Sequence, residues 1–225
     1  MNTETPRITR IEAQKKRADR VNIYLDGEFA FGLSHEVLLQ FGLAKGDALL
    51  PDRLSEIQAA EAVQGAKGKA LALISYRMRS VAEIRKKLAD KDFPGRAIDQ
   101  AVEDLLRVGL LNDRAFAEAF IRTRMIQKPS GRRLLRQELR FKGVSETDID
   151  HALDTALAEV DVAQVIADLV ERRRRQLPSD PIKARKRLTD FLLRRGFAWD
   201  GVKPVVAGFF ESEKRKTTEH TEYTE

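Results

Sequence analysis

The chain has 225 residues, of which 42% are apolar and 34% charged, and its formal net charge is +6. This length is enough for one or two domains with a hydrophobic core, and the absence of cysteine excludes disulfides and thiolate chemistry. The N-terminus lacks the apolar run of a signal peptide and no run of about 18 apolar residues occurs, so we expect a cytoplasmic protein without membrane contacts.

The first 34 residues have the alternating pattern of β-strands. Val21, Ile23 and Leu25 alternate with polar residues before the turn pair Asp26-Gly27, which favours a tight hairpin because both turn positions take a positive φ. Apolar residues alternate again after the turn, and we expect the hairpin to bury the face formed by Val21, Ile23, Phe29 and Phe31. An earlier third strand is indicated by Ile8, Ile11 and Ala13.

Helices are predicted to follow this hairpin. Ser34 can cap a short helix over 35–41 that ends at Gly42, and Pro51 opens another helix. Gly65 and Gly68 weaken that second helix, since each costs about 1 kcal/mol relative to alanine. We place a soft boundary there and expect a β+α module over 1–64.

The remainder is helical and repeats. Each of three copies is anchored on a leucine, and apolar residues recur 4 before it and 5, 10 and 14 after it. The matched sets are Ile84/Leu88/Phe93/Ile98/Val102, Leu135/Leu139/Val144/Ile149/Leu153 and Leu188/Leu192/Phe197/Val202/Val206.

The first two positions of each set form the apolar stripe of one helix. The third position lies just after that helix and packs between the two helices, and the last two positions form the apolar stripe of the next helix. An amphipathic helix precedes each copy, and Ser80 and Ser145 are predicted helix caps. We therefore predict a mainly α fold, in which a small N-terminal β-hairpin or three-strand module with a helix precedes three tandem three-helix repeats. The repeats span 65–111, 112–158 and 159–212, and a polar tail over 213–225 is expected to be disordered.

Positive charge belongs to the helical part, because residues 65–212 hold 30 Lys/Arg and 21 Asp/Glu. Within it, residues 143–171 hold eight acids and no Lys or Arg. Arg132, Arg136 and Arg140 form a row at helical spacing with the leucines elsewhere on the helix, which predicts a face of pure arginine. The complete set of candidate binding residues is Arg77, Arg79, Arg85, Lys86, Arg132, Arg133, Arg136, Arg140, Arg173, Arg174, Lys183, Lys186 and Arg187.

No catalytic, cofactor or metal site is evident. The three histidines are far apart in sequence, and 65-GAKGKA-70 lacks the glycine spacing and the Ser/Thr of a phosphate loop. Asp148, Asp150, His151 and Asp154 have helical metal-ligand spacing but are interpreted as an acidic helix start. Few aromatic residues interleave with the basic ones, and Phe197 and Trp199 are expected in the core, so a base-stacking surface is not predicted.

Three stretches resemble the RecX family of bacterial regulatory proteins: 76-YRMRSVAEIRKKLADKDF-93, 109-GLLNDRAFAEAFIRTRM-125 and 132-RRLLRQELRFKGVSETDIDHAL-153. The hairpin 21-VNIYLDGEFAFGL-33 resembles the N-terminal extension of some members. The resemblance implies a curved array of three three-helix repeats that binds the RecA recombinase filament on DNA and inhibits strand exchange and co-protease activity, modulating DNA repair, DNA recombination and the SOS response. We expect a monomer, and no enzymatic activity because no catalytic site is evident. Single- and double-stranded DNA are expected to bind more weakly on their own.

Two alternatives remain open at this point. The repeats resemble helix-turn-helix units, so the protein could bind DNA independently of RecA, or bind RNA. The acidic block over 143–171 favours the RecA hypothesis, because a protein partner with basic patches could use it and a phosphate binder could not.

Overall fold

The computed structural model describes the backbone of residues 5–222 and the side chains of residues 5–213. An antiparallel sheet comes first, with strands β1 (Ile8–Gln14), β2 (Arg17–Leu25) and β3 (Glu28–Ser34) in that order. Asp26 (φ 47°) and Gly27 (φ 94°) form the turn between β2 and β3, which confirms the predicted hairpin. Helix α1 (His35–Gln40) follows, and the Ser34 side chain accepts a hydrogen bond from the Val37 N–H.

The prediction that Phe29 lies on the buried face of the hairpin was wrong. The register shifts between Ile23 and Tyr24, so that Ile23 faces Phe31 while Tyr24 faces Phe29. This irregularity moves Phe29 to the solvent face, where its side chain is 59% exposed and packs edge-on against Tyr24. Val21 and Ile23 are buried as predicted.

Helix α2 (Pro51–Tyr76) runs without interruption through the predicted boundary at residue 65. Its first part contributes Ile57 to the core of the β module, and its second part contributes Ala66 and Ala70 to the next core. Gly65 has a packing role, because a Cβ there would lie 3.1 Å from the Phe93 ring. The glycine therefore makes room for Phe93 and does not mark a break in the helix.

Three units of three helices make up the rest of the chain. The first combines the end of α2 with α3 (Val81–Ala89) and α4 (Gly95–Arg107), and the second consists of α5 (Asp113–Gln127), α6 (Arg132–Phe141) and α7 (Glu146–Leu157). The third consists of α8 (Val162–Arg173), α9 (Pro181–Arg194) and α10 (Trp199–Glu222), with a 3-10 turn (Arg174–Gln176) after α8. Each unit has its own core, and the repeated apolar positions are buried except Phe93, which is half-buried.

The middle helix of each unit ends in the same way. A residue two or three positions beyond the last helical residue has a positive φ: 59° at Asp92, 76° at Gly143 and 84° at Gly196. The next N–H, from Phe93, Val144 or Phe197, then donates back to the anchor leucine carbonyl at 3.2–3.4 Å. This geometry directs the side chain of Phe93, Val144 or Phe197 toward the core of its unit, as the spacing predicts.

Helix α10 is assigned to Glu222, and the disordered tail expected over 213–225 stays a prediction; residues 223–225 lie outside the described part. One expectation for the third unit differs from the structure. Trp199, expected in the core, begins α10 and is 52% exposed, while Phe197 is buried.

Candidate nucleic-acid and partner interface

The arginine row on α6 is neutralised by acids on α7. Arg132 donates to Asp154 at 2.6 Å, Arg136 pairs with Asp150, and Arg140 donates through Nη2 to Glu146 at 2.9 Å. The expected face of pure arginine is therefore one side of a ladder of ion pairs within the second unit. Phe141, on the same helix, is 95% exposed.

One ion pair of this ladder recurs at the equivalent positions of the first unit. Arg85 lies three residues before the anchor Leu88 and pairs with Asp99, eleven residues after it. Arg136 and Asp150 occupy the same two positions around Leu139. In the third unit these positions around Leu192 hold Thr189 and Lys203, so the pair is lost and the acid is replaced by a base.

The other candidates of the first unit differ in their contacts. Arg77 donates to Glu83 at 3.0 Å, and Arg79 donates to the Leu73 carbonyl at 3.1 Å. Lys86 is exposed and has no ion-pair partner among the described residues. Arg79 and Lys86 therefore keep a charge that no carboxylate of the described side chains neutralises, although a carbonyl holds the Arg79 guanidinium in place.

The acidic block over 143–171 is largely used within the chain. Besides the three carboxylates of the ladder, Asp148 lies 3.5 Å from Arg114, Asp161 caps α8, and Glu171 lies 3.3 Å from Arg174. An acidic block occupied in this way is not evidence for a basic protein partner. The acidic block therefore no longer favours the RecA hypothesis over DNA binding without RecA.

The third unit differs because many of its cations lack an acidic partner. Residues 172–203 hold eleven Lys/Arg and three Asp/Glu. Among the predicted residues, Arg174 pairs with Glu171 and Glu213, and Lys183 lies 3.6 Å from Asp180. Cations with no carboxylate within ion-pair distance among the described side chains are Arg172, Arg173, Arg175, Arg185, Lys186, Arg187, Arg194, Arg195 and Lys203.

Sequence reasoning missed several members of this set, including Arg194 and Arg195. At about 100° per residue, Lys183, Lys186, Arg187 and Arg194 lie within an arc of roughly 100° on α9, opposite the buried Leu188. Asp190 is the one acid of α9 in that arc. The signal that could have revealed this surface is the charge reversal at Lys203, where the other two repeats place aspartate.

The end of α9 docks against the start of α6. The Gly131 N–H donates to the Arg195 carbonyl at 2.8 Å, and the Arg133 guanidinium donates to the Leu193 carbonyl at 2.8 Å. A Cβ on Gly131 would lie 2.2 Å from the Gly196 carbonyl, so only glycine permits this approach. Arg133, a candidate binding residue, thus satisfies carbonyls at the end of a helix.

The potential metal ligands do not come together in the part of the chain that the structure describes. This part contains no group of three or more His, Cys, Asp or Glu side chains that could hold a metal ion. Asp150 and Asp154 of the acidic cluster bind arginines instead. None of the helices within residues 5–222 is long and apolar enough to cross a membrane.

These features define a protein in which three helical units follow a β module along the chain, with unpaired arginines concentrated in the third unit among the described side chains. Four family models match the chain in the same order: "Regulatory protein RecX N-terminal domain" over 6–49, and the first, second and third three-helix domains of RecX over 66–105, 112–153 and 159–206. The chain belongs to the RecX family of regulatory proteins.

Curated relatives and a solved structure agree with this assignment. A regulatory protein RecX of Halalkalibacterium halodurans is 36% identical over 96% of this chain and 81% of its own length. One from Clostridium acetobutylicum is 30% identical over 90% and 96%. The crystal structure of a regulatory protein RecX superimposes with a TM-score of 0.75 at 34% identity, covering 89% of this chain and 98% of that one.

Proposed function

We propose that this protein regulates the RecA recombinase by binding RecA filaments on DNA, and that it inhibits strand exchange and co-protease activity without catalysing a reaction itself. Membership of a family of regulatory proteins supports a regulatory role. The RecA filament as the target follows from the family resemblance. Modulation of DNA repair, DNA recombination and the SOS response would be the consequence.

The observation that carries the proposal at the level of the surface is the concentration of unpaired arginines in the third unit. Most arginines of the first and second units face carboxylates of their own unit. Arg187 and Arg194 have no such partner in the described residues, and they point away from the buried side of α9. A RecA filament on DNA offers both carboxylates and phosphates to guanidinium groups, which bind either in a forked geometry.

RecA-independent DNA binding is the second candidate, and the same cations favour it. Unpaired arginines suit phosphates whether or not RecA is present. The occupied acidic block no longer separates the two functions. The distinction therefore depends on an experiment in which RecA activity is measured.

The test is RecA-dependent ATP hydrolysis on single-stranded DNA, measured while this protein is titrated in. We expect hydrolysis to fall at protein concentrations well below those that saturate the same DNA without RecA. Hydrolysis that stays constant until the protein covers the DNA would identify competition for DNA and would reject a direct effect on the filament.

A further inference from the structure

Two guanidinium groups share the ring of Phe191 on α9. The Arg173 Cζ lies 3.9 Å from the ring centroid and the Arg195 Cζ lies 5.1 Å from it. Arg173 comes from the end of α8 and Arg195 directly follows α9. We call Arg173, Phe191 and Arg195 the Phe191 cluster.

The arginines of this cluster are held by neutral groups. Besides the ring contacts, Arg195 Nη1 donates to the Pro129 carbonyl at 2.9 Å. Neither arginine has a carboxylate within ion-pair distance among the side chains of residues 5–213. A ring and a carbonyl fix a guanidinium in place but do not cancel its charge, in contrast to the acids that hold Arg85 and Arg136.

The positive charge of Arg195 lies close enough to other arginines to be repelled by them. Burial lowers the pKa of Arg195, and the charges of Arg173 and of Arg124, which itself pairs with Glu138, lower it further. Like charges held close without an acid raise the free energy of the folded protein, and a bound anion would remove that cost. Both arginines are only partly buried, so their remaining N–H groups can reach a ligand.

We propose that the Phe191 cluster is a binding site for the phosphate groups of a single nucleic-acid strand. Guanidinium presents paired donors that match phosphate oxygens, and here the guanidinium groups are already positioned. Arg187 and Arg194 extend the charge along α9, about 10.5 Å apart at 1.5 Å per residue. At about 100° per residue, Phe191 lies within roughly 60° of Arg187 and Arg194 around α9, so a strand bound at the cluster can continue toward them.

This inference rests on the proposed function for its setting, because it assigns the DNA contact of the regulator to one site. Its test omits RecA, so it can fail while inhibition of RecA persists. If the protein does not inhibit RecA in the ATP hydrolysis experiment, the result of the oligonucleotide binding experiment still stands.

The experiment measures fluorescence anisotropy of a labelled single-stranded oligonucleotide with the full-length chain. Arg173→Gln/Arg195→Gln is compared with Arg107→Gln/Arg122→Gln, a control that removes the same charge from acid-paired arginines. We expect the first variant to bind at least about tenfold more weakly, as loss of charge-assisted hydrogen bonds predicts. The slope of log affinity against log salt should also fall by roughly 0.7 for each lost phosphate contact.

The control should bind within about twofold of the parent, since its arginines already face carboxylates. A third variant, Arg173→Lys/Arg195→Lys, retains the charge and is a second test in case the Gln variant misfolds. We expect its oligonucleotide affinity to lie between that of the parent and that of Arg173→Gln/Arg195→Gln. Parent-like affinity of a folded Gln or Lys variant would overturn the proposal, as would an equal loss in the control. Unchanged oligonucleotide affinity with weaker binding of poly-L-glutamate would instead identify a site for acidic proteins.

Discussion

At the scale of single residues, the arginines of this chain divide according to what they touch. Arg85, Arg132, Arg136 and Arg140 face carboxylates one helix away. Arg187 and Arg194 face none among the described side chains, although all six are basic residues on middle helices of the units. An arginine committed to an internal ion pair has little left for a partner, so sequence position alone does not identify a binding residue.

This division predicts opposite effects for two triple variants. Replacing Arg132, Arg136 and Arg140 by Gln should lower the thermal unfolding midpoint at low salt, because three internal ion pairs are lost, while inhibition of RecA should change little. Replacing Lys186, Arg187 and Arg194 by Gln should leave the midpoint near that of the parent and weaken inhibition. Thermal melts and RecA-dependent ATP hydrolysis on both variants check this, and a reversed pattern would show that the α6 row contacts the partner.

The pH dependence of the ladder gives an independent check. The hydrogen bond from Arg140 lowers the pKa of Glu146. A carboxyl with a lowered folded-state pKa contributes stability above its ordinary pKa and loses it as the pH falls through the lowered value. The midpoints of the parent and of Arg140→Gln should therefore differ near neutral pH and converge at acidic pH below the ordinary range of a glutamate carboxyl; a difference that is the same at both pH values would argue against the Arg140–Glu146 pair.

Glycines at two positions give a further prediction. Gly131→Ala should destabilise the protein by about 1–3 kcal/mol, because its Cβ would meet the Gly196 backbone at 2.2 Å. Gly68→Ala is the matched control: it lies inside α2 with nothing within 4 Å of a Cβ, and should stabilise by about 0.5–1 kcal/mol. Chemical denaturation measures both, and a neutral Gly131→Ala would mean that the contact between α6 and α9 yields easily.

At the scale of the elements, local pattern predicts most of the fold. The five repeated apolar positions locate the helices because burial imposes their spacing, and positive φ at Asp92, Gly143 and Gly196 ends the middle helices where the sequence indicates. The exposed Phe29 was missed because a one-residue register irregularity leaves no trace in alternation. The paired arginines were missed because their partners lie on another helix, although Arg85 with Asp99 and Arg136 with Asp150 recur at the same spacing.

Helix α2 connects two cores, which predicts the result of truncation. A fragment beginning at residue 65 removes the β module and the first half of α2 but retains Ala66 and Ala70, which pack in the first unit. We expect it to remain folded and almost purely helical by circular dichroism, and to bind RecA filaments. An unfolded fragment would show that the β module and the first unit fold as one, while substantial sheet would contradict the assignment of three helical units.

At the scale of the whole molecule, the first two units neutralise most of their arginines internally, whereas the third leaves most of its arginines without an acidic partner among the described side chains. The proposed function requires that the protein prefer the RecA–DNA filament over DNA. The direct measurement compares affinity for RecA filaments formed on a single strand with affinity for the same strand without RecA, in the same buffer and salt. We predict tighter binding to the filament together with inhibition of strand exchange; equal or tighter binding to naked DNA with RecA activity unchanged would contradict the account and favour RecA-independent DNA binding.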